Sequence, residues 1–383
     1  MRILRSIHSL NPAGGGPVEY VIRSSFALME RGHHVEIVCL DPPGASWLQQ
    51  SALKIHALGP SSPRYGYTPR FTQWLQDPEC FGGFDAVIIH GLWLYHSFGA
   101  WRVLRASPTP YYVFPHGMLD PWFNRVYPLK HLKKLLYWPW AERRVLRDAA
   151  AVLFTSEEER RLARKAFPLY RCREVVVNYG IAPPDIDLIS AREDFLSRYP
   201  ELRGKKLLLF LGRLHEKKGC DLLIQAFAAG HDSSMHLVMA GPCANQAYLS
   251  RLKELGGKTG APITFTGMLS GNLKWGALSA ADAFVLPSHQ ENFGIAVVEA
   301  LACQTPVLIS NQINIWREIE SDNAGYVETA DFKGTARLIE RWGRASFAQR
   351  ELMRANAGKC FARRFDIERA VDSLLEAITE KRA

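Results

Sequence analysis

The sequence predicts an α/β protein with two Rossmann-like domains, and three observations lead to this class. The chain has 383 residues, which is too long for one ordinary core and suits two domains of roughly 100 to 200 residues each. Hydrophobic residues make up 47% and charged residues 22% of it, as in globular proteins. In both halves, short apolar runs alternate with segments of helical period, which is typical of repeated βαβ units around a parallel sheet.

The first half contains five apolar runs that predict buried strands, and they are Met1–Ile7, Val35–Leu40, Ala86–His90, Tyr111–Phe114 and Ala151–Thr155. Segments of helical period follow several of them, including Pro17–Arg31 and Lys130–Arg147. We therefore expect one βαβ domain over residues 1–180.

The second half repeats the pattern, with predicted strands at Lys206–Leu211, Met235–Ala240, Ile263–Thr266, Ala283–Leu286 and Pro306–Ile309. Predicted helices lie near Cys220–Ala229, Gln246–Gly256 and Ile295–Cys303. A second Rossmann-like domain over residues 181–363 follows from this pattern.

The connection between the halves is the segment NYGIAPPDIDLISARED, residues 178–194, whose Gly, Pro and polar content is typical of a linker. It predicts a boundary near residues 180–185 and a cleft between the two domains. Near the C-terminus, Ile367–Ile378 has the pattern of an amphipathic helix. A helix of about residues 364–383 could complete the second domain or pack back onto the first.

The seven cysteines are far apart and form no CxxC pair, which argues against a zinc ribbon or a disulfide framework and suits a reducing compartment. The N-terminus MRILRSIHSL lacks the apolar core of a signal peptide, and no run approaches the roughly 18 apolar residues that span a bilayer. We therefore expect a cytoplasmic protein, either soluble or peripheral on the inner face of the cytoplasmic membrane.

The formal charge of +9 is unevenly distributed, because residues 1–180 carry 22 Lys/Arg against 14 Asp/Glu and residues 181–383 carry 25 against 24. A basic first domain suits an anionic partner such as nucleic acid, an anionic membrane or a phosphorylated substrate. No recognised nucleic-acid-binding motif occurs, so we expect no nucleic-acid partner.

The sharpest motif is ENFGIAVVE, residues 291–299, which follows a predicted strand and opens a predicted helix. In a continuous helix, Glu291 and Glu299 would lie about 12 Å apart, which is the scale of a nucleotide sugar. Backbone N–H groups around Phe293, Gly294 and Ile295 would form an anion site, with Gly294 admitting a phosphate closely. Alternatively, Glu291 caps the helix and Glu299 is a solvated helix residue.

A second motif is FLGRLHEKKG, residues 210–219, in which Arg213 and Lys218 follow a buried strand. Ligands of α/β sheets bind beyond the carboxyl ends of the strands, so both cations are placed to neutralise a diphosphate without a metal ion. Alternatively, the loop is a solvated basic surface.

A glycine-rich loop, NPAGGGP at residues 11–17, follows the first strand and precedes a helix. Its glycines permit a positive φ and close approach to a ligand, or simply a tight structural loop. It matches neither GxGxxG nor GxxxxGK[ST], so neither a dinucleotide site nor a P-loop is indicated.

His116, in YYVFPHGMLDPW, follows a predicted strand and could hydrogen-bond sugar hydroxyls or exchange a proton near neutral pH, or it could be an ordinary loop histidine. His90 and His96 have a spacing that superficially suits a metal site. No Cys or acidic cluster accompanies them, so we expect no metal.

These motifs together resemble family 4 of the retaining glycosyltransferases, also called group 1 transferases. The resemblance rests on GGG after the first strand, PHG, GRLHEKKG, the Ala240–Pro242 turn and SHQENFGIAVVEALACQTPVLIS. It extends over nearly the whole chain, and the second half carries most of its specificity. Two positions differ: Gln304 stands where relatives often have Gly, and the linker reads NYG where PNG is commoner.

The resemblance implies a GT-B fold, a nucleotide-diphosphate sugar bound by residues 181–363 and an acceptor bound by residues 1–180. It implies that Arg213 and Lys218 hold the diphosphate and that Glu299 binds the ribose hydroxyls. The other donor-binding residues it implies are Gly15 and Gly16 over a phosphate, Met268 at the base, and Glu291, Asn292, Phe293, Gly294 and Ile295 at the sugar and phosphates. His116 would contact the transferred sugar, which makes His116, Arg213, Lys218 and Glu291 the expected catalytic residues.

The reaction implied by this resemblance is metal-independent hexosyl transfer with retention at the anomeric carbon. The diphosphate leaves and the acceptor hydroxyl attacks from the same face, with no cofactor besides the nucleotide sugar. Two alternatives stay open, namely a nucleotide-sugar epimerase of the same fold and a non-catalytic sugar-nucleotide-binding protein.

Residues 122–147 contain seven Lys/Arg and one Glu, interleaved with Trp122, Trp138, Trp140 and several leucines. This composition suits docking on an anionic bilayer, or else a domain helix with an apolar face in the core and a solvated basic face. Docking would bring the protein to a lipid-linked saccharide acceptor of surface-polysaccharide or lipopolysaccharide assembly.

Overall fold

A computed structural model describes residues 1–49 and 52–380 of the chain. They divide into two compact units: the first comprises Met1–Gly180 and the C-terminal segment from Ile367 on, and the second comprises Ile181–Asp366. The chain passes from the first unit to the second inside the predicted connection.

The first unit contains a parallel sheet of seven strands. These are β1 (Arg2–Ile7), β2 (His34–Cys39), β3 (Lys54–Ala57), β4 (Ala86–His90), β5 (Tyr111–Phe114), β6 (Ala151–Phe154) and β7 (Glu174–Val176). Their order in the sheet is β3-β2-β1-β4-β5-β6-β7, so that the first six have the Rossmann order 3-2-1-4-5-6. Strands β4, β5 and β6 are buried along their whole length, as expected for a sheet covered on both faces.

Within the described part of residues 1–180, eight α-helices connect these strands. They are α1 (Gly16–Glu30), α2 (Pro69–Gln76), α3 (Pro78–Phe81), α4 (Tyr95–Leu104), α5 (Trp122–Val126), α6 (Pro128–Tyr137), α7 (Glu142–Asp148) and α8 (Glu157–Ala163). The prediction of one helix over Lys130–Arg147 is wrong, because α6 and α7 are separate helices. Pro139 lies between them, where its ring and missing N–H prevent a continuous helix.

The second unit repeats the architecture with six parallel strands, and these are β8 (Lys206–Leu211), β9 (Met235–Ala240), β10 (Ile263–Gly267), β11 (Ala283–Leu286), β12 (Val307–Ser310) and β13 (Gly325–Glu328). Their order is β10-β9-β8-β11-β12-β13, which is again the Rossmann order. The predicted α/β class with two Rossmann-like domains is therefore confirmed.

The helices of the second unit are α9 (Leu188–Arg198), α10 (Cys220–Gly230), α11 (Gln246–Thr259), α12 (Gly271–Ala280), α13 (Ile295–Ala302), α14 (Trp316–Ser321), α15 (Phe332–Arg344) and α16 (Phe347–Cys360). A π-helical turn, Phe361–Phe365, follows α16. Helix α9 corrects the linker prediction, which extended to Asp194. Its N-cap Asp187 accepts a hydrogen bond from the backbone of Ile189, and Phe195 is buried, so residues 187–194 of this segment belong to the domain.

The last helix, α17 (Ile367–Thr379), belongs to the first unit, where it packs against α1. Its buried face includes Val371 and Leu374. On its polar face, Glu368 and Asp372 each form a 2.7 Å ion pair with Arg31, the C-cap of α1. No helix among the described residues is both long and apolar enough to cross a membrane.

Candidate functional site

The order of the second sheet reverses between β8 and β11, which is the position where open α/β sheets bind ligands at the carboxyl ends of their strands. The loop after β8 carries Arg213 and Lys218, and the loop after β11 carries Glu291. Two of the predicted motifs, far apart in sequence, therefore meet at one point of the sheet.

A close approach of the two loops holds this site together. Gly219 has φ 67°, and a Cβ there would lie 2.4 Å from the carbonyl oxygen of Pro287, so the approach requires glycine. Next to it, the backbone N–H of His289 donates to the carbonyl of Lys217 at 2.8 Å, and the Ser288 hydroxyl donates to the same oxygen at 3.1 Å. The backbone of the β8 loop is thus fixed to that of the β11 loop.

The Lys218 ammonium contacts the Glu291 carboxylate, and the two side chains are only 18% and 19% exposed. Burial lowers the pKa of Lys218 to about 8, and the positive charges of Lys217 and Arg213 act in the same direction. The Glu291 carboxylate opposes this shift, since an opposite charge favours the ammonium form. Arg213 is exposed, two residues beyond the end of β8. The site therefore combines two cations with one carboxylate.

The segment around Glu291 is extended and not helical. Its N–H donates to the carbonyl of Gln312 at 2.9 Å, and its carbonyl accepts from the N–H of Asn314 at 3.0 Å. The Asn314 side-chain amide donates to the Asn292 side chain at 3.2 Å. The assumption of one helix from Glu291 to Glu299 is thus wrong, because the loop after β12 holds residues 291–292 and α13 begins only at Ile295.

Gly294 is the N-cap of helix α13; its φ of 76° is left-handed, and its carbonyl accepts from the N–H of Val297 at 2.8 Å. Phe293 is buried, and its ring meets the edge of Phe365 at a centroid distance of 5.7 Å. The positive end of the α13 dipole therefore lies close in sequence to Glu291, as the predicted anion site requires.

Glu299 has a partner that the sequence did not indicate. The Lys274 ammonium of α12 donates to the Glu299 carboxylate at 2.6 Å, and both side chains are mostly buried. Lys274 also lies 4.2 Å from the centroid of the Trp275 ring. Lys274 belongs to no recognised motif and is 25 positions from Glu299, so nothing in the sequence pointed to this pair. Met268 is exposed directly after β10, at the same edge of the sheet.

Three further predicted residues, Gly15, Gly16 and His116, belong to the first unit. The glycine-rich loop forms a 3-10 turn at Pro12–Gly14, which the Asn11 side chain caps by accepting from the N–H of Ala13 at 2.9 Å. Gly15 then adopts φ 72° as the N-cap of α1, and Gly16 is the first helical residue. The glycines therefore allow the sharp entry into the helix, and the first turn of α1 presents its N–H groups beside them.

His116 follows β5 in a left-handed conformation, with φ 50°. Its Nε2 lies 3.0 Å from Nδ1 of His90, at the end of β4. Burial lowers the pKa of His116 to about 3, with the positive charge of Arg5 acting in the same direction. Proton exchange near neutral pH, one of the two predicted roles, does not fit this value; hydrogen bonding by a neutral ring does.

His96 uses its Nε2 in a 2.8 Å hydrogen bond with the backbone carbonyl of His90, so the spacing of these two histidines serves the structure of the loop. Within residues 1–49 and 52–380, no group of three or more His, Cys, Asp or Glu side chains is arranged to hold a metal ion. The metal independence of the reaction stays a prediction.

Two family models match the chain. The model described as glycosyl transferases group 1 matches residues 192–359, and the model described as glycosyl transferase 4-like domain matches residues 15–180. Each match lies within one of the two units.

Curated proteins and a solved structure are also similar. Alpha-D-kanosaminyltransferase of Streptomyces kanamyceticus is 28% identical over 250 residues, 61% of this chain and 61% of that protein. D-inositol 3-phosphate glycosyltransferase of Geodermatophilus obscurus is 31% identical over 229 residues, 54% and 50% of the two chains. The chain thus spans about half to three fifths of these relatives. Anabaena HepE, solved with UDP and glucose, aligns over 100% of both chains with a TM-score of 0.75 at 16% identity.

Proposed function

We propose a transferase function for this chain, which belongs to the group 1 glycosyltransferase family. In this proposal it transfers a sugar from a nucleotide-diphosphate sugar to a hydroxyl group of a saccharide acceptor. Its two parallel-sheet units and the similarity to the HepE structure show the GT-B fold. The observation that carries the proposal is the pairing of the β8 and β11 loops, which places Lys218, Arg213 and Glu291 at one switch point.

The main catalytic task at this site is the stabilisation of the departing diphosphate. Negative charge develops on the diphosphate as the sugar leaves, so fixed cations aimed at it lower the barrier. Lys218 supplies a point charge in a largely buried position, and Arg213 supplies a planar fork that suits two phosphate oxygens. The start of α13 at Gly294 and Ile295 adds N–H donors and the positive end of a helix dipole. In the proposed mechanism, these groups stabilise the departing diphosphate and no step is assigned to a metal ion.

Glu291 and Glu299 are proposed to bind neutral hydroxyl groups of the donor. In the structure Glu291 contacts Lys218 and Glu299 contacts Lys274, so each carboxylate keeps one oxygen near a cation. A carboxylate accepts several hydrogen bonds, which suits sugar hydroxyls at Glu291 and ribose hydroxyls at Glu299. Asn292 and the backbone of Phe293 complete the sugar and phosphate contacts, and Met268 would cover the base.

In the proposed function, the first unit contributes Gly15 and Gly16, which contact a donor phosphate, and His116, which contacts the transferred sugar. The transfer is proposed to retain the configuration of the anomeric carbon. Gly15 has a positive φ, and a Cβ at this position would meet no atom within 4 Å from the described residues other than its chain neighbours, so its backbone is open on one side. HepE was solved with UDP and glucose, which makes UDP-glucose the first donor to test.

The test of this function is release of nucleoside diphosphate from UDP-, GDP- and ADP-sugars by wild type and by Lys218→Ala. We expect one donor class to turn over and Lys218→Ala to lower its turnover tenfold or more, which corresponds to about 1.4 kcal/mol of transition-state stabilisation. Lys217→Ala is the matched control, because Lys217 and Lys218 lie in one 3-10 turn, Glu216–Lys218; removing the Lys217 charge should change turnover about twofold or less.

Two results would contradict the proposal. Equal turnover by folded Lys218→Ala and wild type excludes the assigned role of Lys218. Accumulation of an epimerised donor in the absence of any acceptor indicates an epimerase, and no turnover of any donor with any saccharide indicates a non-catalytic binding protein.

The acceptor is proposed to be a lipid-linked saccharide of surface-polysaccharide or lipopolysaccharide assembly, which the protein reaches from the cytoplasmic face of the membrane. The support is the surface of α6, where Leu129, Leu132 and Leu136 are 79%, 56% and 71% exposed. Their spacing of three and four residues places them on one face of the helix. Lys130 and Lys133 flank them. Exposed leucines beside lysines suit the interface of an anionic bilayer.

Flotation with vesicles tests this surface. We expect wild type to bind phosphatidylcholine vesicles that contain phosphatidylglycerol and to lose this binding in high salt. A triple variant Leu129→Ser, Leu132→Ser and Leu136→Ser should bind at least tenfold less. Leu352→Ser is the control, since it removes an equally exposed leucine from α16 of the second unit. Equal binding by wild type and the triple variant, or none by wild type, contradicts the docking proposal.

A further inference from the structure

The switch point of the first sheet contains two imidazoles in contact. His90 ends β4, and its neighbour in the sheet is Phe114 of β5, two residues before His116. The rings of His90 and His116 are nearly parallel, with centroids 5.3 Å apart and an angle of 17° between them. Phe114 stacks on His90 at the same centroid distance. The 3.0 Å contact between His90 Nδ1 and His116 Nε2 is therefore set by the two strands and not by flexible side chains.

The backbone of the His116 turn is held from a second direction. Glu159 of α8 is buried and accepts a 2.6 Å hydrogen bond from the N–H of Gly117. The same carboxylate accepts from the N–H and hydroxyl of Thr155, at 2.8 and 2.7 Å. A left-handed non-glycine residue such as His116 is strained, and these bonds keep it in place.

Both imidazoles are neutral. Burial lowers the pKa of His90 well below its usual range and that of His116 to about 3, and the charge of Arg5 acts in the same direction on both. Because both rings are neutral, only one hydrogen lies between Nδ1 of His90 and Nε2 of His116 in a hydrogen bond. Either His90 donates from Nδ1, or His116 donates from Nε2, and the choice decides whether Nδ1 of His116 is a donor or an acceptor.

The surroundings of His90 favour one choice. Arg5 is completely buried, and its Nη1 donates to the Val21 carbonyl at 2.9 Å and to the hydroxyls of Ser24 and Ser25, none of which carries a charge. Its positive charge is thus uncompensated by these partners. Nε2 of His90 is buried with no hydrogen-bond partner among residues 1–49 and 52–380. A hydrogen on this nitrogen would be an unsatisfied donor that the positive charge of Arg5 disfavours, whereas a lone pair there is attracted by that charge.

We propose that Arg5 and His90 fix the tautomer of His116. His90 carries its hydrogen on Nδ1 and donates it to Nε2 of His116, so that His116 carries its own hydrogen on Nδ1. His90 is then a positioning residue, and His116 is a neutral hydrogen-bond donor. The consequence for catalysis rests on the proposed transferase function: His116 donates to an oxygen of the donor sugar and takes no proton during the reaction.

The tautomer itself can be measured in the free protein by long-range ¹H–¹⁵N correlation of the imidazole nitrogens, assigned with His90→Phe and His116→Asn. We expect the signals of His90 and His116 both to show Nδ1–H in wild type across pH 6 to 8. A pattern of Nε2–H for His116 overturns the proposal. This measurement needs no substrate, so its outcome does not depend on the proposed function.

Kinetics of paired variants test the consequence. The amide nitrogen of Asn occupies nearly the position of Nδ1 and that of Gln nearly the position of Nε2, so His116→Asn should retain at least tenfold more turnover than His116→Gln. His90→Phe keeps the stacking but removes the donor, and we expect it to lower kcat about tenfold with the donor KM within about twofold; His90→Asn should restore part of the loss. Equal activity of the two His116 variants, or full activity of His90→Phe, contradicts the assigned donor role.

Discussion

The buried carboxyl group of Glu142 gives the most quantitative prediction of the structure. Glu142 is completely buried at the start of α7, and its Oε1 accepts hydrogen bonds from the N–H of Trp93 and the hydroxyl of Ser97, both at 2.7 Å. Its Oε2 has no hydrogen-bond partner within residues 1–49 and 52–380. Burial raises the pKa of Glu142 to about 7, against the opposing effects of these two hydrogen bonds and of the positive charge of Lys134.

The change to test is Glu142→Gln, which removes the charge and keeps an oxygen for both hydrogen bonds. The pKa of Glu142 is about 7 in the folded state and 4.5 in the unfolded state, and this difference corresponds to about 3 kcal/mol. Below pH 4.5 both states are protonated and the group has no effect. Between about pH 4.5 and 7 the unfolded state loses its proton first, so this group lowers the wild-type free energy of unfolding as the pH rises. Above pH 7 the loss is complete.

The assay is urea unfolding of both proteins at pH 5 and pH 8, followed by circular dichroism. We expect the stability of Glu142→Gln relative to wild type to increase by about 2.5 kcal/mol between the two pH values, because a small part of the effect is already present at pH 5. His90 and His116 have lowered pKa values and contribute a slope of the opposite sign, but both proteins contain them and the difference removes their effect. Glu376→Gln, an exposed glutamate of α17, is the control. A stability difference that does not change with pH would refute this reasoning.

Three further substitutions have expected outcomes. Gln304 has φ 56°, which explains why relatives often have glycine there, and Gln304→Gly should raise the free energy of unfolding by about 1 kcal/mol in urea titrations; a loss of stability contradicts this. A Cβ on Gly241 would lie 1.8 Å from the carbonyl oxygen of Gly212, so Gly241→Ala should cost about 3 kcal/mol in the same assay, and a neutral effect is inconsistent with the packing of the β8 and β9 ends. Lys274→Met should raise the donor KM about tenfold with kcat nearly unchanged, because it removes the cation at Glu299; an unchanged KM would show that the pair serves stability alone.

Much of the fold could be predicted because parallel strands that are buried on both faces are continuous apolar runs. Strand β4, for example, was predicted with its observed bounds, Ala86–His90. The edge strands β3 and β7 were missed, since KIHA and EVV are half-exposed and have no such run. The break between α6 and α7 was missed although Pro139 marks it, because the helical period continues on both sides.

The candidate site was predictable only where the residues themselves suggest chemistry. Arg213, Lys218 and Glu291 were proposed because they follow strands, and the strand order explains why their loops meet. Contacts between distant residues left no local signal, so Lys274 beside Glu299 and His90 beside His116 could not be paired from the sequence. The pKa of His116 depends on burial and on Arg5, which no motif reveals.

The central claim is that the second unit binds the diphosphate of a nucleotide sugar between the β8 and β11 loops. Calorimetric titration of the whole chain with UDP, GDP and ADP tests it most directly, with wild type, Lys218→Ala and Lys217→Ala compared. We expect one of the three nucleotides to bind wild type and Lys217→Ala with similar affinity, and Lys218→Ala at least tenfold more weakly. Binding of none of them, or equal binding by Lys218→Ala, would contradict the assignment of this site.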